Sequence, residues 1–178
     1  MTTQTIERSG IVTGRGNPLT LLGPELKVGD AAPEVHLTAK DLSVKTLDDL
    51  TEGGTRATLL IVVPSLDTPT CAIESQTFNK RLSELKGVTP YIVSMDLPFA
   101  MVRWCGQIEG FSIDVLSDYR DHRFGFDYGV RIKENGLLMR ANFLIGPDKK
   151  LHYVEIVPEI SQQPDYDATI KAAQALAK

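Results

Sequence analysis

The sequence predicts an α/β chain with a central mixed β-sheet flanked by helices. Three observations carry that prediction. The run Thr58-Leu59-Leu60-Ile61-Val62-Val63 is apolar and β-branched, as suits a central strand covered on both faces. After it, helical stripes alternate with short strand-like runs, the pattern that places helices against a sheet. The chain then closes with a hairpin pattern and an amphipathic helix.

Taken in order, residues 1–15 are polar and read as a flexible N-terminal segment, and residues 16–178 as a single domain. Gly16-Asn17-Pro18 introduces Leu19–Leu22, closed by Gly23-Pro24, which reads as a short hairpin or extended arm. Short strands are expected over 35–39 and 44–47, with a helical turn at 47–50. Pro64 ends the central strand, and a helix runs from about Thr68 or Thr70 to Lys86. Phe78, Leu82 and Leu85 form its core stripe, and Gly87 closes it. Tyr91–Ser94 is the next buried strand. A short helix begins at Asp96-Leu97-Pro98, with the proline where its missing N–H costs nothing, and Gly106 ends it. Residues 113–116 read as a strand and 118–128 as an interrupted helix. Residues 141–145 and 151–157 flank the turn Gly146-Pro147-Asp148-Lys149. Tyr166, Ile170, Ala173 and Leu176 mark the terminal helix.

Composition narrows the function. The chain has 178 residues, 19 Lys+Arg, 23 Asp+Glu and a formal charge of −4. With 42% apolar and 24% charged residues it matches ordinary globular usage. That excludes disordered, collagen-like and disulfide-dense classes. The mild acidity argues against a general nucleic-acid binder. No apolar run approaches the roughly 20 residues of a membrane helix, and the N-terminus Met1-Thr2-Thr3-Gln4 lacks a basic region followed by an apolar stretch, so no secretory signal is expected. The expected compartment is a reducing cytoplasm, where paired cysteines lean toward redox or catalytic use.

There are two cysteines. Cys71 falls in the first turn of a helix after a buried strand. Unpaired amides and the helix dipole there favour thiolate, the reactive form. It shares the stripe of Phe78, so it should be partly exposed, in a pocket. Thr68 can direct its hydroxyl at the sulfur or a bound oxygen, or cap the helix. Pro64 and Pro69 stiffen the loop. The alternative for Cys71 is a buried cysteine serving as a small hydrophobe. Cys105 ends another helix, beside Gly106, where the dipole disfavours thiolate; taken alone it reads as structural. The two do not form a Cys-x-x-Cys motif. His36, His122 and His152 are scattered and give no zinc signature. A Cys–His hydrolase needs a partner that nothing singles out. Gly53-Gly54 lacks a phosphate-loop pattern.

The segment Pro64-Ser65-Leu66-Asp67-Thr68-Pro69-Thr70-Cys71 resembles the active-site segment of bacterial thiol peroxidases, the atypical two-cysteine peroxiredoxins. Further segments agree in order: Gly16–Leu21, Asp96-Leu97-Pro98-Phe99-Ala100, Arg103-Trp104-Cys105-Gly106, Leu116–Arg120, Asp127–Val130, Val157–Ile160 and Pro164-Asp165-Tyr166. The resemblance covers roughly residues 16–177. It implies a thioredoxin-like fold with an N-terminal β-hairpin, reduction of hydrogen peroxide and organic hydroperoxides, and no metal, haem or flavin. It makes Cys71 the peroxidatic cysteine and Cys105 the resolving cysteine of the same chain. Thr68 and Pro64 match pocket positions, and Arg140 matches the active-site arginine. It also implies a homodimer re-reduced by thioredoxin. Asn142 departs from the family's usual small aliphatic residue, and Trp104 from its usual Phe. Neither is a reacting group. The competing readings are a thiol–disulfide oxidoreductase and a redox-sensing binding module on the same fold.

Overall fold

The computed structural model describes residues 6–177. In chain order its elements are β1 (Glu7–Gly14), β2 (Asn17–Leu22), β3 (Leu37–Ala39), β4 (Val44–Lys45), α1 (Leu47–Leu50), β5 (Ala57–Val62), α2 (Pro69–Leu82), β6 (Val88–Ser94), α3 (Pro98–Cys105), β7 (Asp114–Ser117), α4 (Arg123–Asp127), β8 (Arg131–Ile132), β9 (Ala141–Ile145), β10 (Leu151–Ile156) and α5 (Tyr166–Leu176).

Seven strands form one mixed sheet in the order β10-β9-β5-β6-β7-β3-β4. Its centre, β5-β6-β7, is parallel, and the strands outside it pair antiparallel. Parallel neighbours need crossover helices, and α2 and α3 supply them. Every residue of β5 is buried, which is why its sequence is continuously apolar rather than alternating. Its side chains divide between two cores. Ala57, Leu59 and Ile61 meet the face carrying Cys71, Phe78, Met101 and Ile170, from α2, α3 and α5. Leu60 and Val62 meet the opposite face, with Leu50, Phe124 and Tyr128. A mixed sheet with helices on both faces and a leading hairpin is the thioredoxin-like architecture that the resemblance implies.

The expectation for residues 1–15 is revised. Residues 1–5 lie outside the described residues, but Glu7–Gly14 is a strand paired with β2. The two join through Arg15 and Gly16, both at positive φ, the two-residue turn that matches strand twist. A register shift lies between Ser9 and Val12, and Gly10 at φ +75° falls within it. Only Val12 of β1 is buried, so apolar alternation could not reveal the strand. Backbone pairing and Arg8, which reaches the carbonyls of Gly23 and Gly129, hold it instead. The two-residue strand β8 pairs with β2 and likewise has no sequence signal. Helix α2 stops at Leu82, short of Lys86, and Gly87 at φ +86° turns the chain into β6.

The hairpin docks where Gly129 takes φ +65°, and a Cβ there would lie 1.9 Å from the Pro24 carbonyl oxygen. Gly110 has a similar φ of +70° with nothing within 4 Å of an added Cβ. Gly110→Ala is expected to cost about 1 kcal/mol from backbone strain alone. Gly129→Ala should cost at least about 2–3 kcal/mol, since the backbone must also move. Urea unfolding of the two reduced variants measures the difference; equal losses would mean that the close approach to Pro24 is not a constraint.

Candidate active site at Cys71

The loop after β5 leaves the carboxyl end of the parallel strands, where open α/β sheets place their sites. Pro64 is buried beyond the end of β5, and Pro69 occupies the first turn of α2. Thr68 is the N-cap. Its Oγ1 accepts from the Cys71 amide at 3.3 Å and donates to the Ser65 carbonyl at 3.3 Å. The hydroxyl proton is therefore directed at the loop backbone, not at sulfur. Cys71 lies in the first turn, as the sequence predicts, but it is 0% exposed rather than partly open. The residues covering it must give way a little before any reactant reaches the sulfur.

What faces that sulfur is a charge. Arg140 precedes β9, and its Nη2 donates to Cys71 Sγ at 3.4 Å. The side chain is 1% exposed, yet every direction of its fork is used. Nη1 pairs with Glu74, while Nε and Nη2 donate to the Ile160 carbonyl at 3.2 and 3.0 Å. Sequence reasoning named Cys71, Thr68, Pro64 and Arg140, and the fold brings them around one loop and one helix turn. It missed Glu74. The available signal was a carboxylate three residues after Cys71 and four before Phe78, on the buried stripe of α2, where an acid is rarely found without a partner.

The pair has a definite electrostatic character. Burial pushes the Glu74 carboxyl up to about 7, against the pull of Arg140 and with a further push from Glu155. Burial also works against the charge of Arg140, but Glu74 and then Cys71 outweigh it and hold its pKa above the ordinary value. The guanidinium thus keeps its proton, and the carboxyl is the half of the pair that titrates. A fixed positive charge with planar donors, in a water-excluded site, favours negative charge on sulfur or on an oxygen leaving it.

The Ile160 carbonyl is itself held in place. Ile160 N donates to Thr13 O, and Thr13 N donates to Pro158 O. Glu159 accepts from Thr13 Oγ1 and from the amides of Arg15 and Gly16. The Gly16 amide, the Thr13 and Ser161 hydroxyls and the Arg15 amide hold this carboxyl well below the usual range. The N-terminal hairpin therefore braces the segment that braces Arg140.

Cys105 stands apart, in the last turn of α3. It is half-buried, and both cysteines are free thiols. Burial pushes its thiol pKa up, with Asp114 adding and Lys40 opposing. The direction matches the sequence expectation, although burial rather than the helix dipole is the leading cause. Trp104, beside it, packs edge-on against Phe111 with ring centres 5.3 Å apart and fastens the end of α3. Asn142 is fully buried; its Nδ2 donates to Glu155 and Thr169, while its Oδ1 has no hydrogen-bond partner among the described residues, so polar neighbours meet only one end of the amide.

Comparison with known proteins supports the fold described above. The Redoxin family profile matches residues 27–170. A thiol peroxidase of Halalkalibacterium halodurans is 48% identical over 164 residues, covering 92% of this chain and 97% of the relative. A thiol peroxidase of Bacillus subtilis is 41% identical, covering 94% and 98%. The crystal structure of a peroxiredoxin-like protein from Aquifex aeolicus superposes with a TM-score of 0.85 at 41% identity, covering 95% of this chain and 99% of that one.

Glu74 gives a stability prediction with a definite sign. Its folded pKa of about 7 lies above its ordinary 4.5, so the folded state binds this proton more tightly. The resulting stabilisation is complete below about pH 4.5 and is lost as pH rises through 7. Denaturant unfolding of wild type and Glu74→Gln between pH 4.5 and 8 should show wild type losing on the order of 3 kcal/mol relative to the variant. A constant difference across that window would show that Glu74 does not titrate there.

Proposed function

The chain belongs to the Redoxin family and, within it, to the thiol peroxidases, and on that premise we propose that it reduces hydroperoxides with Cys71 as the attacking thiolate and Cys105 as the resolving thiol. The single observation that carries the assignment of Cys71 is its place in the first turn of α2 with Arg140 Nη2 3.4 Å from its sulfur. Amides at a helix start and a permanent cation both favour the thiolate.

The sulfur lone pair attacks the nearer peroxide oxygen, an S–O bond forms and the O–O bond breaks. The departing oxygen carries away the electron pair and leaves, once protonated, as water or an alcohol. Charge passes from sulfur to that oxygen in the transition state, and Arg140 can follow it without reorganising. Cys71 is left as a sulfenic acid. The Cys105 thiol then gives up its proton as its sulfur attacks the Cys71 sulfur; the S–O bond breaks, the departing oxygen takes up a proton and leaves as water, and an intramolecular disulfide results. Thioredoxin, a dithiol donor, takes the oxidising equivalents by exchange and restores both thiols. The raised pKa of Cys105 suits a group that stays a thiol until the sulfenic acid forms nearby.

The assembly we infer is a homodimer. Leu97, Phe99 and Val102 of the α3 region and Ile73 of α2 are 53%, 68%, 46% and 57% exposed, large apolar side chains that a second copy would cover. The proposed compartment is the bacterial cytoplasm, where a thioredoxin cycle operates.

The test is stopped-flow emission of Trp104, the only tryptophan, after mixing reduced protein with one equivalent of hydrogen peroxide, with thiols counted on quenched samples. Wild type should react fast and lose both thiols. Cys71→Ser should abolish turnover; normal turnover by that variant would sink the assignment. Cys105→Ser should keep the first oxidation and lose thioredoxin-linked recycling. Arg140→Met should slow the first oxidation by about 10²-fold or more, the scale of a lost transition-state donor. A smaller effect than tenfold would remove Arg140 from the mechanism.

A further inference from the structure

Asp96 lies between the end of β6 and the start of α3, away from the reacting sulfur. Its carboxylate is nonetheless crowded with donors. Oδ1 accepts from Ser65 Oγ at 2.7 Å, and Oδ2 accepts from Leu66 N and Ser94 Oγ at 2.8 Å each. Its own amide donates to Ser94 Oγ at 3.1 Å, and its carbonyl accepts from Ser117 Oγ. Ser94 and Ser117 are 0% exposed, at the ends of two neighbouring parallel strands. Asp96 is thus fixed to the sheet and grips the loop that leads into α2.

From that grip an unbroken relay runs to the attacking cysteine. Asp96 holds Ser65; the Ser65 carbonyl accepts from Thr68 Oγ1; Thr68 Oγ1 accepts from the Cys71 amide. In the other direction, Asp96 is two residues before Pro98, the first residue of α3, whose last residue is Cys105. Between loop and helix is a cleft of about 230 Å³ lined by Ser65, Asp67, Asp96, Met101, Trp104 and Gln107. One carboxylate therefore joins the two segments that carry the two thiols.

We propose that Asp96 is a positioning residue that clasps the Cys71 loop to the root of the Cys105 helix, favouring attack on peroxide and opposing formation of the disulfide. The inference rests on the peroxidase reading above. Its physical basis is the conflict between the two steps. The first needs the Thr68 cap intact, so that the first turn of α2 stays wound against Arg140. The second needs two free thiols, one of them fully enclosed, to close to the roughly 2.05 Å of a disulfide. The first turn of α2 or the end of α3 must then loosen. A clasp that holds the loop helps the first step and resists the second.

Asp96→Ala and Ser65→Ala, which removes one of the clasp bonds, test this against wild type. Peroxide attack is read as the second-order phase and disulfide formation as the first-order phase, by Trp104 emission and by mass of acid-quenched samples. Asp96→Ala should slow peroxide attack about tenfold, the scale of lost bonds to a charged acceptor, and speed disulfide formation several-fold. Ser65→Ala should move both in the same directions by less. Gly87→Ala, strained at φ +86° and packed on Ala177 away from the clasp, is the control for general weakening. The same split in that variant, or no split in Asp96→Ala, would overturn the proposal. If Asp96→Ala does not fold, the split in Ser65→Ala decides. Slow oxidation of the wild type itself would instead count against the peroxidase reading, and it is seen before any variant is made.

Discussion

A guanidinium buried to the last per cent of its surface sets the terms for this fold. Arg140 cannot shed its charge, so the surrounding chain must satisfy it. Three groups from two parts of the sequence do so: Glu74 and the Cys71 sulfur from α2, and the Ile160 carbonyl from the segment after β10. Removing one partner of such a pair typically costs about 3–5 kcal/mol, because the other charge is left stranded. Sulfur is the one partner in this set that carries no fixed role in the fold. The guanidinium is already desolvated and already aimed at it, so negative charge that arises there meets a preorganised donor.

The N-terminal hairpin belongs to this arrangement. The Ile160 carbonyl is useful to Arg140 only while the chain from Pro158 to Ser161 holds its shape, and that shape is set by Thr13, Arg15 and Gly16 through Glu159 and the backbone. The motif Val157-Pro158-Glu159-Ile160 and the motif beginning at Gly16 are thus two sides of one contact. Distant segments that share a resemblance to one family meet here because a buried charge needs both.

Much of this was legible in the sequence, and the limits have physical reasons. The run 58–63 showed a central strand because both of its faces are buried. The helix carrying Cys71 and its Thr68 cap were readable because capping and core stripes are local. β1 and β8 were not, since their stability lies in backbone pairing that leaves no side-chain pattern. Among site residues, Cys71 and Thr68 are close in the chain, and Arg140 came from the family resemblance. Glu74 left a local trace, an acid on the buried stripe of α2, but its partner Arg140 is brought to it only by folding. The exposure of Cys71 was also misjudged, because a stripe position does not reveal how completely the opposite layer closes over it.

Asn142 shows how far the influence of the buried charge extends. It lies in β9, two residues after Arg140, and reaches Thr169 of α5. A small aliphatic residue there would leave Glu155 with Tyr153, Thr169 and the Asp165 amide as its donors. Asn142 adds another from within the sheet and turns an apolar position into part of a polar network at the start of α5. Glu155 in turn raises the pKa of Glu74. This departure from the family pattern therefore makes its hydrogen bonds to neither sulfur nor arginine. It anchors the second carboxylate, whose charge helps set how readily the first one ionises against Arg140.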